Sequence, residues 1–123
     1  MPNHVLLIDP DSYFSDICAA VFQKEGFEIV HCRKADDALT LVEQTKPRAV
    51  VLDLLLSEGD GFQVLEALSQ EPATRGIPVF VYAATGAKED MDRCLALGAC
   101  AYLMKSHHRP DALVRLVVER LGG

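Results

Sequence analysis

Five short apolar segments, each followed by a stretch with helical periodicity, constrain the fold of this chain more than any other feature. The candidate strands span residues 5–8, 27–31, 49–53, 77–83 and 100–104. Several are nearly continuous in Val, Ile and Leu, which is typical of strands covered on both faces. Strands that alternate with helices indicate a parallel sheet with right-handed crossovers and helices on both sides. We therefore predict an α/β fold, a doubly wound (βα)₅ sheet of five parallel strands in the flavodoxin-like order 2-1-3-4-5.

The helical segments repeat apolar residues at spacings of three and four, which gives each helix one buried stripe. The first carries such a stripe over residues 14–22 and has Gly26 as its predicted C-cap. The second covers residues 35–45 and stops before Pro47, because proline cannot continue a helix. The third begins near Gly61, and the last starts at Pro110, a favoured first-turn residue.

Two helices carry specific predictions about burial. On the fourth, residues 88–97, we expect Met91, Cys94 and Leu95 to be buried. On the last, Leu113 and Leu116 lie beside the predicted core stripe and mark either an edge contact or a surface for a partner. The core stripe itself comprises Val114, Val117, Val118 and Leu121.

Length and composition limit the function classes. A chain of 123 residues fits one domain, 1–123, and its net charge of -6 argues against a surface that binds nucleic acid. The first residues do not resemble a signal peptide, and no apolar run is long enough to span a membrane, so we expect a cytoplasmic protein. The cysteines form no metal-binding spacing, and we expect reduced, buried thiols at Cys18, Cys32, Cys94 and Cys100.

Charged side chains follow three of the predicted strands. Asp9 follows the first strand, Asp53 closes the third, and Lys105 follows the fifth. Functional groups in such sheets lie beyond the carboxyl ends of the strands, near the switch point between strands 1 and 3. Asp53 ends a fully apolar run, where an unpaired charge would be costly, so it is the strongest candidate for a functional residue.

Crowded carboxylates repel one another, and a divalent cation relieves that repulsion. Oxygen ligands alone favour Mg²⁺, and the candidate ligands are Asp9 and Asp53, with Asp11 as an additional candidate. Asp11 has a second interpretation, because an aspartate at this place often caps the following helix. A carboxylate can accept a phosphoryl group, and Lys105 can pair with the phosphoryl oxygens.

These features resemble the receiver domains of bacterial response regulators, and the resemblance covers essentially the whole chain. It rests on Val5-Leu6-Leu7-Ile8-Asp9, Val50-Val51-Leu52-Asp53, Asp60-Gly61, Gly98-Ala99 and Tyr102-Leu103-Met104-Lys105. The resemblance implies that Asp53 is the phosphoacceptor, Lys105 the phosphate contact and Asp9 an acidic-pocket residue. It also implies a metal ligand at the backbone carbonyl of Leu55, histidine kinases as phosphoryl donors, and no classical enzyme activity.

The sequence departs from the family pattern in ways that bear on function. Pro10 replaces the second acidic residue after strand 1, so we expect weak Mg²⁺ binding. Ala83 replaces the Ser or Thr that follows the phosphoryl group on activation, and Thr85 is two residues further on. Tyr102 occupies the place of the family's aromatic switch, and a half-buried structural aromatic is the equal alternative.

The leading hypothesis is a stand-alone receiver that is phosphorylated on Asp53 by a histidine kinase. It would signal through a protein partner on the face formed by helix 4, strand 5 and helix 5. The sequence does not decide whether the protein forms a homodimer. The alternative is a pseudo-receiver, a phosphorylation-independent interaction module, which Pro10 and Ala83 favour. A phosphatase with an Asp-x-Asp motif would use Asp9 and Asp11, but the acidic pair that such an enzyme needs after strand 4 is missing. A flavin-binding protein is disfavoured because the charges of Asp9 and Asp11 would repel the flavin phosphate.

Overall fold

A computed structural model describes residues 3–122 of the protein; of the expected domain 1–123, Met1, Pro2 and Gly123 lie outside the described residues. Five strands and five helices alternate along the chain. The strands are β1 (His4–Ile8), β2 (Glu28–Cys32), β3 (Ala49–Leu52), β4 (Val79–Ala83) and β5 (Ala101–Met104). The helices are α1 (Ser12–Lys24), α2 (Ala35–Thr45), α3 (Gly61–Gln70), α4 (Lys88–Ala96) and α5 (Pro110–Arg120).

The strands form one parallel sheet in the order β2-β1-β3-β4-β5, which confirms the predicted topology. Most strand bounds lie within one residue of the prediction. β4 is shorter than predicted, because the amide of Ile77 donates to Thr74 in a turn and Pro78 has no N–H to give to a ladder. None of the helices in the described part combines the length and apolar character needed to cross a bilayer.

Alternate residues of each central strand contribute to two separate cores. In β1, Leu6 and Ile8 join the core under α2, α3 and α4, whereas Val5 and Leu7 join the core under α1 and α5. The period of two in a strand sends consecutive side chains to opposite faces, so an unbroken apolar run serves both cores. This is why the strands show no alternation of polar and apolar residues.

The buried face of α4 is narrower than predicted. Cys94 is buried and Met91 is half-buried, but Leu95 is 50% exposed, so its predicted burial is wrong. Consecutive helical residues are rotated by about 100°, which turns Leu95 away from the sheet when Cys94 faces it. Leu97, just after the helix, packs against the core instead.

The buried face of α5 is wider than predicted. Leu113 is fully buried in the core, so its interpretation as an edge or partner residue is wrong. α5 packs against α1 as well as against the sheet, and this second contact buries a second row of side chains. Leu116 points outward and is 38% exposed.

The four thiols are free, with Cys18, Cys32 and Cys94 buried and Cys100 half-buried. Burial raises the pKa of Cys18 to about 12 and that of Cys94 to about 11. Both side chains therefore stay protonated near neutral pH and act as small apolar residues of the core.

The different burial of the two leucines on α5 gives a testable prediction. Leu113→Ala should lower the free energy of unfolding by about 2–5 kcal/mol, because it removes a fully buried side chain and leaves a cavity. Leu116→Ala should change it by no more than about 0.5 kcal/mol. Urea unfolding of both variants measures the difference, and equal effects would contradict the burial of Leu113 between α5, α1 and the sheet.

Candidate functional site at the carboxyl ends of the strands

The sheet brings three charged side chains to one edge. Ile8 and Leu52 pair in the β1–β3 register, so Asp9 and Asp53 follow directly from neighbouring strands. The amide of Asp53 donates to the carbonyl of Ile8 at 2.8 Å, which fixes the two strand ends to each other. Lys105 follows β5, and its amide donates to Ala83 at the end of β4 at 2.8 Å.

The ammonium of Lys105 lies between the two carboxylates. Its Nζ is 2.8 Å from Oδ2 of Asp9 and 3.0 Å from Oδ2 of Asp53. The Lys105 side chain is 7% exposed, and the Asp9 and Asp53 side chains are 10% exposed. We call these three residues the ion triad, and they are the residues predicted from the strand ends.

Backbone amides bind the remaining carboxylate oxygens. Oδ1 of Asp9 accepts from the amide of Asp11 at 2.7 Å. Oδ1 of Asp53 accepts from Leu54 at 2.7 Å and, at a longer 3.4 Å, from Leu55. These bonds orient each carboxylate and leave its Oδ2 directed at Lys105.

Burial and charge shift the pKa values of Asp9 and Lys105. Burial raises the pKa of Asp9, and the bonds from Lys105 and Asp11 offset this only in part. Burial by itself would lower the pKa of Lys105, but the hydrogen bonds and charges of Asp9 and Asp53 outweigh it and raise that pKa. Lys105 is therefore protonated throughout the physiological pH range, and its charge is available to an anion at the site.

The β3–α3 loop, residues 53–60, holds Asp53 in place from the other side. Asp60 is the N-cap of α3: its Oδ1 accepts from the amide of Gln63 at 2.9 Å, and the Gln63 side chain accepts a bond from the amide of Asp60 in return. This capping box fixes where α3 begins. Gly61 packs directly on the backbone of Asp53 and Leu54, so a Cβ there would collide with the Asp53 carbonyl.

A cavity of about 500 Å³ opens above Asp53. Asp11 lies on its wall, but the Asp11 carboxylate caps α1 by accepting from the amide of Tyr13 at 3.0 Å. The capping interpretation of Asp11 is thus confirmed. The cavity is lined by Pro10, Asp11, Phe14, Asp53, Leu55, Ala84, Lys105 and Ser106.

The donor set suits a divalent cation only in part. Carboxylates of Asp9 and Asp53 with a nearby backbone carbonyl are the hard oxygen ligands that Mg²⁺ prefers. However, Pro10 contributes no carboxylate, and Lys105 already balances part of the negative charge. Over residues 3–122, no three Asp, Glu, His or Cys side chains cluster closely enough to hold a metal by themselves. The residues fit a weakly held ion that keeps several water ligands.

The predicted switch positions lie to one side of the ion triad. Ala83 is buried in the core under α4 and offers no hydroxyl to the cavity. Tyr102 is half-buried, and its hydroxyl donates to the carbonyl of Thr85 at 2.7 Å. The Thr85 side chain bonds to Asp90 of α4, so it does not take the place of the missing hydroxyl at position 83.

The structure adds three residues around the site that the sequence pattern did not indicate. Phe14 and Tyr82 place their rings beside the Lys105 ammonium. Arg33, in the loop after β2, donates to the carbonyl of Pro10 at 3.4 Å and to the hydroxyl of Ser12 at 3.3 Å. A tyrosine inside an apolar strand was the available signal for Tyr82, but no local pattern distinguishes Phe14 or Arg33 from ordinary core and surface residues.

Comparison with known proteins identifies the family. The model of the response regulator receiver domain matches residues 5–117, and the chain belongs to this family. The phosphate regulon transcriptional regulatory protein PhoB of Escherichia coli (strain K12) is 28% identical over 116 residues, which is 94% of this chain and 51% of PhoB. The chain therefore spans about half the length of that relative.

Solved structures agree with this assignment. The Mn²⁺-bound form of response regulator Rcp1 is 26% identical, with a TM-score of 0.81 over 94% of this chain and 89% of Rcp1. A CheY-like receiver domain protein from Methanospirillum hungatei JF-1 has the same fold, with 23% identity and a TM-score of 0.89 over 99% of this chain and 95% of its own. Receiver domains are signalling modules of two-component systems and not classical enzymes; phosphorylation and Mg²⁺ binding are typical of them.

The contact between Gly61 and Asp53 gives a testable prediction. Gly61→Ala should lower the free energy of unfolding by about 1–3 kcal/mol, although alanine favours helices, because its Cβ would press on the Asp53 backbone. Gly76→Ala is the matched control, since a Cβ there meets no atom within 4 Å. Urea unfolding compares the two, and a neutral Gly61→Ala would contradict this packing.

Proposed function

We propose that this receiver domain accepts a phosphoryl group on Asp53 from the phosphohistidine of a histidine kinase. The observation that carries the proposal is the ion triad, in which a buried carboxylate at the end of β3 faces a fixed ammonium. Burial of two carboxylates side by side at the end of the sheet carries a desolvation penalty that a purely structural role does not require. Such an arrangement suits a group that changes its charge during function.

The chemistry needs few groups. An oxygen of Asp53 attacks the phosphorus while the bond from phosphorus to the donor's imidazole nitrogen breaks, and the imidazole leaves. Lys105, which already contacts Asp53, then pairs with the new phosphoryl oxygens and balances part of their negative charge. The amides of Leu54 and Leu55 keep the other Asp53 oxygen in place.

Mg²⁺ would be held by Asp9, Asp53 and the carbonyl of Leu55, with Asp11 as the nearest further carboxylate on the cavity wall. When bound, the ion supplies positive charge that balances the carboxylates and the incoming phosphoryl group. Pro10 removes one carboxylate from this set, and we therefore expect a high concentration of Mg²⁺ to be needed.

The signal would leave through a protein partner on the face of α4, β5 and α5. Leu95 on α4 and Leu116 on α5 are exposed apolar residues of the two helices, and Tyr102 on β5 is half-buried against the core under α4. Because Ala83 has no hydroxyl, a phosphoryl group on Asp53 could not accept a side-chain hydrogen bond from this position at the end of β4. Tyr102, through its bond to Thr85, is the residue left to link the site to α4.

Pro10 and Ala83 also support a second candidate function, a pseudo-receiver that binds its partner without phosphorylation. Both substitutions remove groups that phosphorylation uses and leave the fold intact. The two candidates differ in one observable, the covalent modification of Asp53.

The test is phosphorylation with a small donor. Incubation with Mg²⁺ and phosphoramidate should add the mass of one phosphoryl group to the wild type, as recorded by intact mass spectrometry. Asp53→Asn should abolish the adduct, because it removes the nucleophile while keeping the acceptor for the Leu54 amide. Asp60→Asn is the matched control in the same loop; asparagine caps helices well, so the adduct should persist.

Either of two outcomes would overturn the proposal. An adduct that persists in Asp53→Asn would place the modification elsewhere. No adduct on the wild type, even when Mg²⁺ is raised well above the concentration that saturates an ordinary receiver domain and a histidine kinase domain serves as second donor, would favour the pseudo-receiver.

A further inference from the structure

The Lys105 ammonium has aromatic as well as ionic neighbours. Its Nζ lies 4.6 Å from the ring centroid of Phe14 and 5.8 Å from that of Tyr82. The two rings meet edge to face, with centroids 5.9 Å apart and planes at 90°. The carboxylates of Asp9 and Asp53 bind the same ammonium, so its neighbours are two rings and two carboxylates.

Tyr82 also fixes the backbone that follows Lys105. Its hydroxyl donates to the carbonyl of His108 at 2.6 Å, which ties β4 to the loop between β5 and α5. Burial raises the pKa of Tyr82 to about 12, so the hydroxyl stays a donor at neutral pH. The Tyr82 side chain thus contacts the Lys105 ammonium with its ring and the loop after Lys105 with its hydroxyl.

Phe14 receives its position from the start of α1. Asp11 caps this helix two residues after Asp9, and Phe14 lies in the first turn. The ring of Phe14 also contacts Tyr13, edge to face at 5.3 Å. The segment from Asp9 to the start of α1 therefore determines the position of the Phe14 ring beside Lys105.

A lysine head normally moves freely on its four-carbon stem, and fixing it costs conformational entropy. A cation over an aromatic face is attracted by the negative face of the ring, most strongly where water is excluded. Contacts with two rings and two carboxylates together favour one position of the ammonium over others. That position already contacts Asp53, the residue to be modified.

We propose that Phe14 and Tyr82 are positioning residues for phosphoryl transfer: their rings hold the Lys105 ammonium against Asp9 and Asp53, ready for the phosphoryl oxygens. The part that concerns transfer rests on the proposed phosphorylation of Asp53. The part that concerns the position of Lys105 does not, and it can be tested without any phosphodonor.

The first experiment measures the accessibility of Lys105 by acylation. The native protein is treated with an N-hydroxysuccinimide ester, and the labelling rate of each lysine is read from its peptide by mass spectrometry. Lys105 should be the slowest to label in the wild type, and Phe14→Leu should raise its rate about tenfold. Lys24 and Lys46, both exposed, are internal controls whose rates should not change.

Two variants separate positioning from loss of stability. Phe27→Leu makes the same aromatic-to-leucine change at a buried site at the opposite end of the sheet, and it should leave Lys105 labelling unchanged. Tyr82→Phe keeps the ring and removes only the bond to His108; it should raise the labelling rate by a smaller factor of about three. Unchanged labelling in Phe14→Leu, or an equal rise in Phe27→Leu, would overturn the proposal.

The second experiment measures phosphorylation with phosphoramidate and Mg²⁺. Phe14→Leu should lower the initial rate about tenfold, and Phe14→Tyr, which keeps the aromatic face, should restore most of it. In a Lys105→Met background, Phe14→Leu should have no further effect, because the ring acts only through the lysine. An equal effect with and without Lys105 would show that Phe14 acts by another route. A wild type that labels as expected but forms no adduct would count against the proposed function alone.

Discussion

The interaction on which the site depends is the buried contact of one ammonium with two carboxylates. Removal of two carboxylates from water carries a large desolvation penalty, and only a closely placed cation with additional hydrogen bonds offsets it. Lys105 supplies the cation at 2.8 and 3.0 Å, and the amides of Asp11 and Leu54 supply the hydrogen bonds. The sheet order makes this possible, because it brings the ends of β1, β3 and β5 to one edge.

One ammonium cannot balance both carboxylate charges at this edge. Burial raises the pKa of Asp9, and the single charge of Lys105 lowers it by less. A divalent cation would supply the missing positive charge, and a phosphoryl group on Asp53 would increase the need for it. Pro10 supplies no carboxylate, so the site has less negative charge for a metal ion to balance. It also has one ligand fewer with which to bind that ion. On the proposed function, the balance between Lys105 and a cation would set how readily Asp53 accepts a phosphoryl group.

Most of the fold and the centre of the site could be predicted from the sequence. Apolar runs with nothing polar in them predict strands covered on both faces, and a charged residue directly after such a run must lie at the strand end, as Asp53 does. The burial of single helical residues was harder to predict. Leu95 and Leu113 were wrongly placed because the face that a helix buries depends on whether a second helix packs against it, as α1 does against α5. The aromatic neighbours of Lys105 come from α1 and β4, far apart in sequence, and no local pattern relates them.

The most direct test of the ion triad compares the free energy of unfolding of single and combined variants in urea. Lys105→Met alone should lower it by about 3–5 kcal/mol at neutral pH, because two buried carboxylates lose their partner. Combining that change with Asp9→Asn and Asp53→Asn removes all three charges and keeps the side-chain acceptors, so most of the lost stability should return. If the triple variant is instead less stable by the sum of its single effects, the three residues do not act as one unit, and the buried contact of Lys105 with Asp9 and Asp53 is not what the site depends on.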